Sequence, residues 1–174
     1  MKASPIQLLE SSLAKAFVEP VADYDDGGSD VSQVFEEVVL QTYKRIDAFP
    51  DFWASEKPPF PGLADRTYRL ALGVRTPDDQ GQNGPYKFEV MFTAVVACIP
   101  ERIGELSPAQ AAQEYGLTML YGMIREQVLN LTSRMTYGTR LLPSVSFMGD
   151  SRSVPVAKKK LSTRHAAQVK AGST

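Results

Sequence analysis

The chain has 174 residues, enough for one domain, and 43% of them are hydrophobic, which supports a core without marking a membrane protein. No run approaches the ~18 apolar residues of a membrane span, and the N-terminus reaches Glu10 and Lys15 without a signal-peptide apolar stretch. A cytoplasmic protein with no membrane insertion is therefore expected. The formal net charge of −1 hides an asymmetry, because residues 1–150 carry 13 basic and 20 acidic side chains and residues 151–174 carry six basic and no acidic ones. An acidic body argues against nucleic acid as a partner of the folded part, since phosphate binding needs clustered Lys and Arg.

In residues 5–20, Ile6, Leu9, Leu13 and Phe17 recur at three, four and four positions, the spacing of an amphipathic helix. Leu9, Leu13 and Phe17 also share one face of a strand, so both readings stay open. Tyr24 to Asp30 is a loop by composition, with Gly27 and Gly28 supplying a permissive backbone. Val34 to Arg45 is rich in β-branched and aromatic residues on both parities, which reads as a strand covered on both faces. Residues 49–65 carry Pro50, Pro58, Pro59 and Pro61 among Phe52, Trp53 and Phe60: too much proline for regular structure, yet enough aromatic surface to pack down.

The clearest signal follows. Tyr68, Leu70, Leu72 and Val74 alternate with Thr67, Arg69, Ala71 and Gly73, and beyond a Gly- and Asp-rich turn Tyr86, Phe88, Val90, Phe92 and Ala94 alternate with Lys87, Glu89 and Met91. This is an antiparallel hairpin with one buried and one wetter face. Val95 to Ile99 is apolar on both parities, so the far end of the second strand is expected to be covered on both sides. Ser107 before Pro108 is a helix start, and Leu117, Leu120, Tyr121, Ile124, Val128, Leu131 and Met135 continue at helical spacing, with a bend expected near Gly116 or Gly122. Leu141 to Phe147 reads as a short extended piece.

Chemistry is sparse. His165 is the single histidine and lies in the basic tail, and Cys98 is the single cysteine, which excludes an intramolecular disulfide and any multi-cysteine metal centre. No glycine loop of a phosphate-binding type occurs, and the neighbours Glu36 and Glu37 point to opposite faces of a strand. The expectation is a protein that is not an enzyme, with no catalytic residue, no metal and no cofactor.

Phe88-Glu89-Val90-Met91-Phe92 and the run from Leu120 through Arg125-Glu126 to Thr132-Ser133-Arg134, followed by Leu141-Leu142-Pro143, resemble the SecB family of export chaperones. The resemblance covers about residues 85–148 and extends to Ile6–Pro20, where the family begins with a β-strand. It implies an α+β fold with a four-stranded antiparallel sheet packed by a long helix, residues 1–148 as the chaperone domain and residues 149–174 as a basic disordered tail. It implies an ATP-independent holdase for unfolded client polypeptides, assembled as a homotetramer, a dimer of dimers. Export SecB has a second helix and an acidic, metal-binding tail that docks on the translocase motor. Here the chain ends in a basic tail, so the layout is more similar to SecB-like chaperones encoded with toxin–antitoxin pairs, whose client is an antitoxin rather than a preprotein. Two site expectations follow. Clients should meet Phe17, Val21, Phe35, Val39, Phe52, Trp53, Phe60 and Met91, reachable aromatic or adaptable side chains. The helix stripe Leu117, Leu120, Ile124, Val128 and Leu131 exceeds what a thin one-sided sheet covers easily, and is expected at the oligomer interface.

Overall fold

A computed structural model describes residues 4–22, 24, 40–77, 85–145 and 147. Residues 149–174, and with them His165, lie outside the described residues, as do the expected Gly-rich loop and the site candidates Phe35 and Val39. Four strands form one antiparallel sheet: β1 (Ile6–Pro20), β2 (Gln41–Ala48), β3 (Thr67–Arg75) and β4 (Tyr86–Cys98), in the spatial order β1-β4-β3-β2. A helical arm follows, consisting of α1 (Pro108–Ala111), a π-helical turn (Ala112–Gly116) and α2 (Leu117–Thr132), and it crosses one face of the sheet.

The hairpin is as the alternation implies. Leu70, Leu72 and Val74 of β3 and Phe88, Val90, Phe92, Ala94, Val96 and Cys98 of β4 point to one face and are buried there with Leu117, Leu120, Tyr121, Ile124 and Val128 of α2. Side chains of the other parity face away from the helices. At the far end of β4 both parities are covered, with Val95 and Ala97 buried as fully as Val96 and Cys98.

Residues 5–20 resolve to a strand, β1, and their helix-like spacing has a physical cause. The pairing of β1 with β4 shifts register between Leu8 and Glu10 and again between Leu13 and Lys15, so Leu9 and Ala14 sit in bulges. Each bulge adds a residue and reverses parity. The residues paired with the helix-facing positions of β4 are therefore Ile6, Leu8, Ser11, Leu13, Ala16 and Val18, a pattern of period neither two nor 3.6. Leu13 and Phe17 end up on opposite faces.

One expectation needs correction. The described part of residues 34–45, which opens β2, is mostly exposed rather than covered on both faces, because the strand order puts β2 at the sheet edge. The helix stripe packs inward: Leu117, Leu120, Ile124 and Val128 have no exposed surface within a single chain, and Leu131 is half-buried. The sheet residues Leu70, Leu72, Val90 and Phe92, with Leu142 and Phe147 from the C-terminal stretch, consume the apolar surface that seemed surplus.

The helical arm begins as its sequence dictates. Ser107 Oγ accepts from the Gln110 amide, and the Gln110 side chain accepts from the Ser107 amide, a reciprocal cap with Pro108 at the first helical position. The expected irregularity falls at Gly116, in the π-helical turn. A side chain there would collide with Leu70, so glycine allows the helix to approach the sheet this closely.

Candidate client-binding face

The face opposite α2 is only partly covered. At the Thr67 end of the sheet, residues 50–66 fold against it through two short 3₁₀ turns, Pro50–Trp53 and Ala64–Arg66. Trp53 Nε1 donates to Thr67 Oγ1 at 3.0 Å, and that hydroxyl donates onward to the Leu63 carbonyl at 2.8 Å, so one threonine ties both turns to the sheet. Phe52 packs edge-on against Trp53 and tilted against Phe49, over whose ring the Arg69 guanidinium lies at 3.8 Å. Proline prevents regular structure here and the aromatic side chains supply the adhesion.

Beyond this cover the face is open. Across the sheet, Lys15, Met91, Gly73 and Tyr43 form one row. Phe17, Glu89, Arg75 and Gln41 form the next. Tyr43 is 54% exposed and Phe17 46% exposed, while Met91 is half-buried. A Cβ built at Gly73 would touch only Met91 and Tyr43, at 3.6 and 3.7 Å, so this glycine leaves a shallow notch between those two side chains. Ion pairs frame the apolar row, Lys15 with Glu89 and Arg45 with Asp47.

The sequence candidates thus separate into two groups. Phe17 and Met91 are diagonal neighbours on the open part of the face, within reach of long side chains. Phe52, Trp53 and Phe60 sit half-buried at the opposite end, separated from Phe17 by the length of β3, roughly 26 Å at ~3.3 Å per residue. Val21 is held at the β1 end, its amide donating to the Pro85 carbonyl and its own carbonyl accepting from the Tyr137 hydroxyl at 2.8 Å. Tyr43 is missing from the sequence candidates although it is the most exposed large hydrophobic side chain among the described residues. Its signal was its shared parity with Phe35 and Val39, read as burial instead of exposure.

Burial shifts several titratable groups in the body. Burial pushes the Cys98 thiol up to about 11, and its Sγ donates to the Pro108 carbonyl at 3.1 Å, which keeps it neutral. Burial likewise raises Tyr68, Tyr86 and Tyr121 and lowers Arg140. The Tyr121 hydroxyl donates to Pro143 and the Tyr86 hydroxyl to Gly138, strapping the C-terminal stretch onto the helix and the sheet. Among the described residues no three His, Cys, Asp or Glu side chains come together as a metal site, and no helix is long and apolar enough to cross a membrane.

With this geometry in place, the comparisons can be given. The fold is similar to that of a SecB-like chaperone. That neighbour is a Mycobacterium tuberculosis SecB-like chaperone solved in complex with a ChAD peptide from the HigA1 antitoxin, and the match has 18% identity and a TM-score of 0.49, covering 82% of this chain and 91% of that one. No family model matches the chain, and no curated protein matches it.

Proposed function

We propose that this chain is an ATP-independent holdase that binds unfolded or aggregation-prone polypeptides along the open face of its sheet. The observation that carries the reading is the row of Tyr43, Gly73 and Met91 with Phe17 beside it, large apolar side chains left reachable around a glycine on the face of the sheet opposite α2. Contiguous exposed apolar surface of this kind marks an interaction site, and it works without chemistry, through burial at ~25 cal/mol per Å². The antitoxin client follows the sequence resemblance to chaperones encoded with toxin–antitoxin pairs. Preprotein export is the alternative client class.

The assembly belongs to the same proposal. With the α2 stripe occupied internally, the support for a homotetramer built as a dimer of dimers shifts to β1, a 15-residue edge strand with Leu8 and Leu13 about 40% exposed beside it. An edge of that length offers unpaired backbone groups that a second copy can satisfy.

The test is suppression of aggregation of a chemically unfolded substrate at stoichiometric ratios, with no nucleotide, by the parent protein and by the double variant F17S/Y43S. Both positions are exposed, so melting should be preserved while suppression is lost. A parent that fails to suppress aggregation across several unfolded substrates refutes the holdase.

A further inference from the structure

The open face is not flat where β1 ends. Phe17, Arg75, Thr76, Lys87 and Glu89 line a cavity of about 120 Å³ there. Cofactors and drug-sized ligands occupy sites of ~300–1,000 Å³, whereas ~150 Å³ suffices for a benzene ring, so this cavity takes one side chain.

The lining selects which side chain. Phe17 presents its ring to methylene groups. Arg75 and Lys87 contribute charged donors, and Gln41 orients the guanidinium by accepting from Arg75 Nε at 2.8 Å. Glu89 is engaged by Lys15. Lys15 stands beside the cavity on Glu89 and Glu19 is paired opposite Lys87, so among the described residues in and next to the cavity three cations stand against Glu89 and Glu19. This local excess of positive charge stands in a body where acidic residues outnumber basic ones by 20 to 13.

We propose that the cavity binds the carboxylate side chain of a Glu or Asp within an extended apolar segment of the client, its methylenes against Phe17 and its carboxylate between Arg75 and Lys87. The inference rests on the reading of the open face as the client surface, and it names the client chemistry: apolar segments interrupted by an acid. Segments carrying a basic residue at that point are disfavoured by the same cations.

Anisotropy titrations of the full-length protein with two labelled apolar peptides test this. The peptides have blocked termini and differ only in one central residue, Glu or Gln, so the side chain is the sole carboxylate. The Glu peptide should bind about fivefold more tightly, the scale of one partly exposed ion pair, and added salt should erode the difference. Lys87→Gln and Arg75→Gln should each bring the Glu-to-Gln ratio toward unity, and Lys87→Glu should invert it. Lys87 is exposed, so its variants keep the test valid if Arg75→Gln destabilises the sheet. Equal affinity of the two peptides for the parent protein, or a Glu preference that survives Lys87→Gln, overturns the carboxylate site and leaves the client face standing. Failure of both peptides to bind overturns the two together.

Discussion

Replacing Gly116 with alanine sets two known effects against each other at one atom. Alanine is the better helix former by about 0.8–1.0 kcal/mol, so on propensity alone the variant gains stability. The new Cβ, however, would lie 2.3 Å from Leu70 Cδ1, with Ile6 Cδ1 a further neighbour at 3.9 Å. Ordinary carbon contacts need ~3.5–4.0 Å, so Leu70 has to retreat by more than an ångström. Leu70 has no exposed surface and is enclosed by the core, and overpacking of this kind costs ~1–3 kcal/mol. At the middle of that range the steric term wins, leaving a net loss of about 1 kcal/mol and a fall in melting temperature of about 2–4 °C for a chain of this size. Circular-dichroism melts at one fixed protein concentration measure it, since association makes Tm concentration-dependent. Leu70→Val vacates space toward the helix, so the double variant should lose less stability than the two single variants added together. A Gly116→Ala protein as stable as its parent, or strict additivity with Leu70→Val, would refute the close approach of helix and sheet.

Two further outcomes are expected. Cys98 has a thiol raised from its ordinary value of 9.0 to about 11, so between those values the unfolded chain has released a proton that the folded chain retains. Stability should fall by about 1.4 kcal/mol per pH unit as pH rises from 9 toward 11 and stay level with respect to this group below 9; Cys98→Ala, compared with its parent in urea titrations, should flatten that slope, and an unchanged slope would remove Cys98 as its source. Trp53→Phe keeps a ring against Phe52 but removes the donor to Thr67 Oγ1, at a cost of about 1 kcal/mol in denaturant titrations. An unmoved midpoint would mean that the hydrogen bond does not anchor the turn.

The parts of the fold legible in the sequence were those written in local rules. Strict alternation gave the β3–β4 hairpin, and Ser107-Pro108 gave the helix start, because a cap and a pleat each depend on residues only a few positions apart. β1 resisted the same treatment, since Leu9 and Ala14 in bulges broke the period that identifies a strand. The α2 stripe was correctly seen as apolar. Its destination depended on the width and curvature of the chain's own sheet, which no periodicity reports. The open face shows the same division: Phe17 and Met91 could be picked out as large apolar side chains, whereas Tyr43 and the Arg75–Lys87 cavity emerge only when cross-strand register aligns residues distant in sequence.

The pairing of the first strand with the last also governs how the chain can be made. Ile6 meets Cys98, so β1 leaves the ribosome with its partner still unsynthesised, roughly ninety residues behind, and at ~5–20 residues per second it waits on the order of 5–20 s. During that interval Leu8, Leu13 and Phe17 have no sheet to join, and closing so long a loop is intrinsically slow even once β4 exists. A strand with charges at Glu10, Lys15 and Glu19, two bulges and a terminal Pro20 is a poor template for aggregation. The irregularities that hide β1 from sequence reading thus also protect the nascent chain until it can fold.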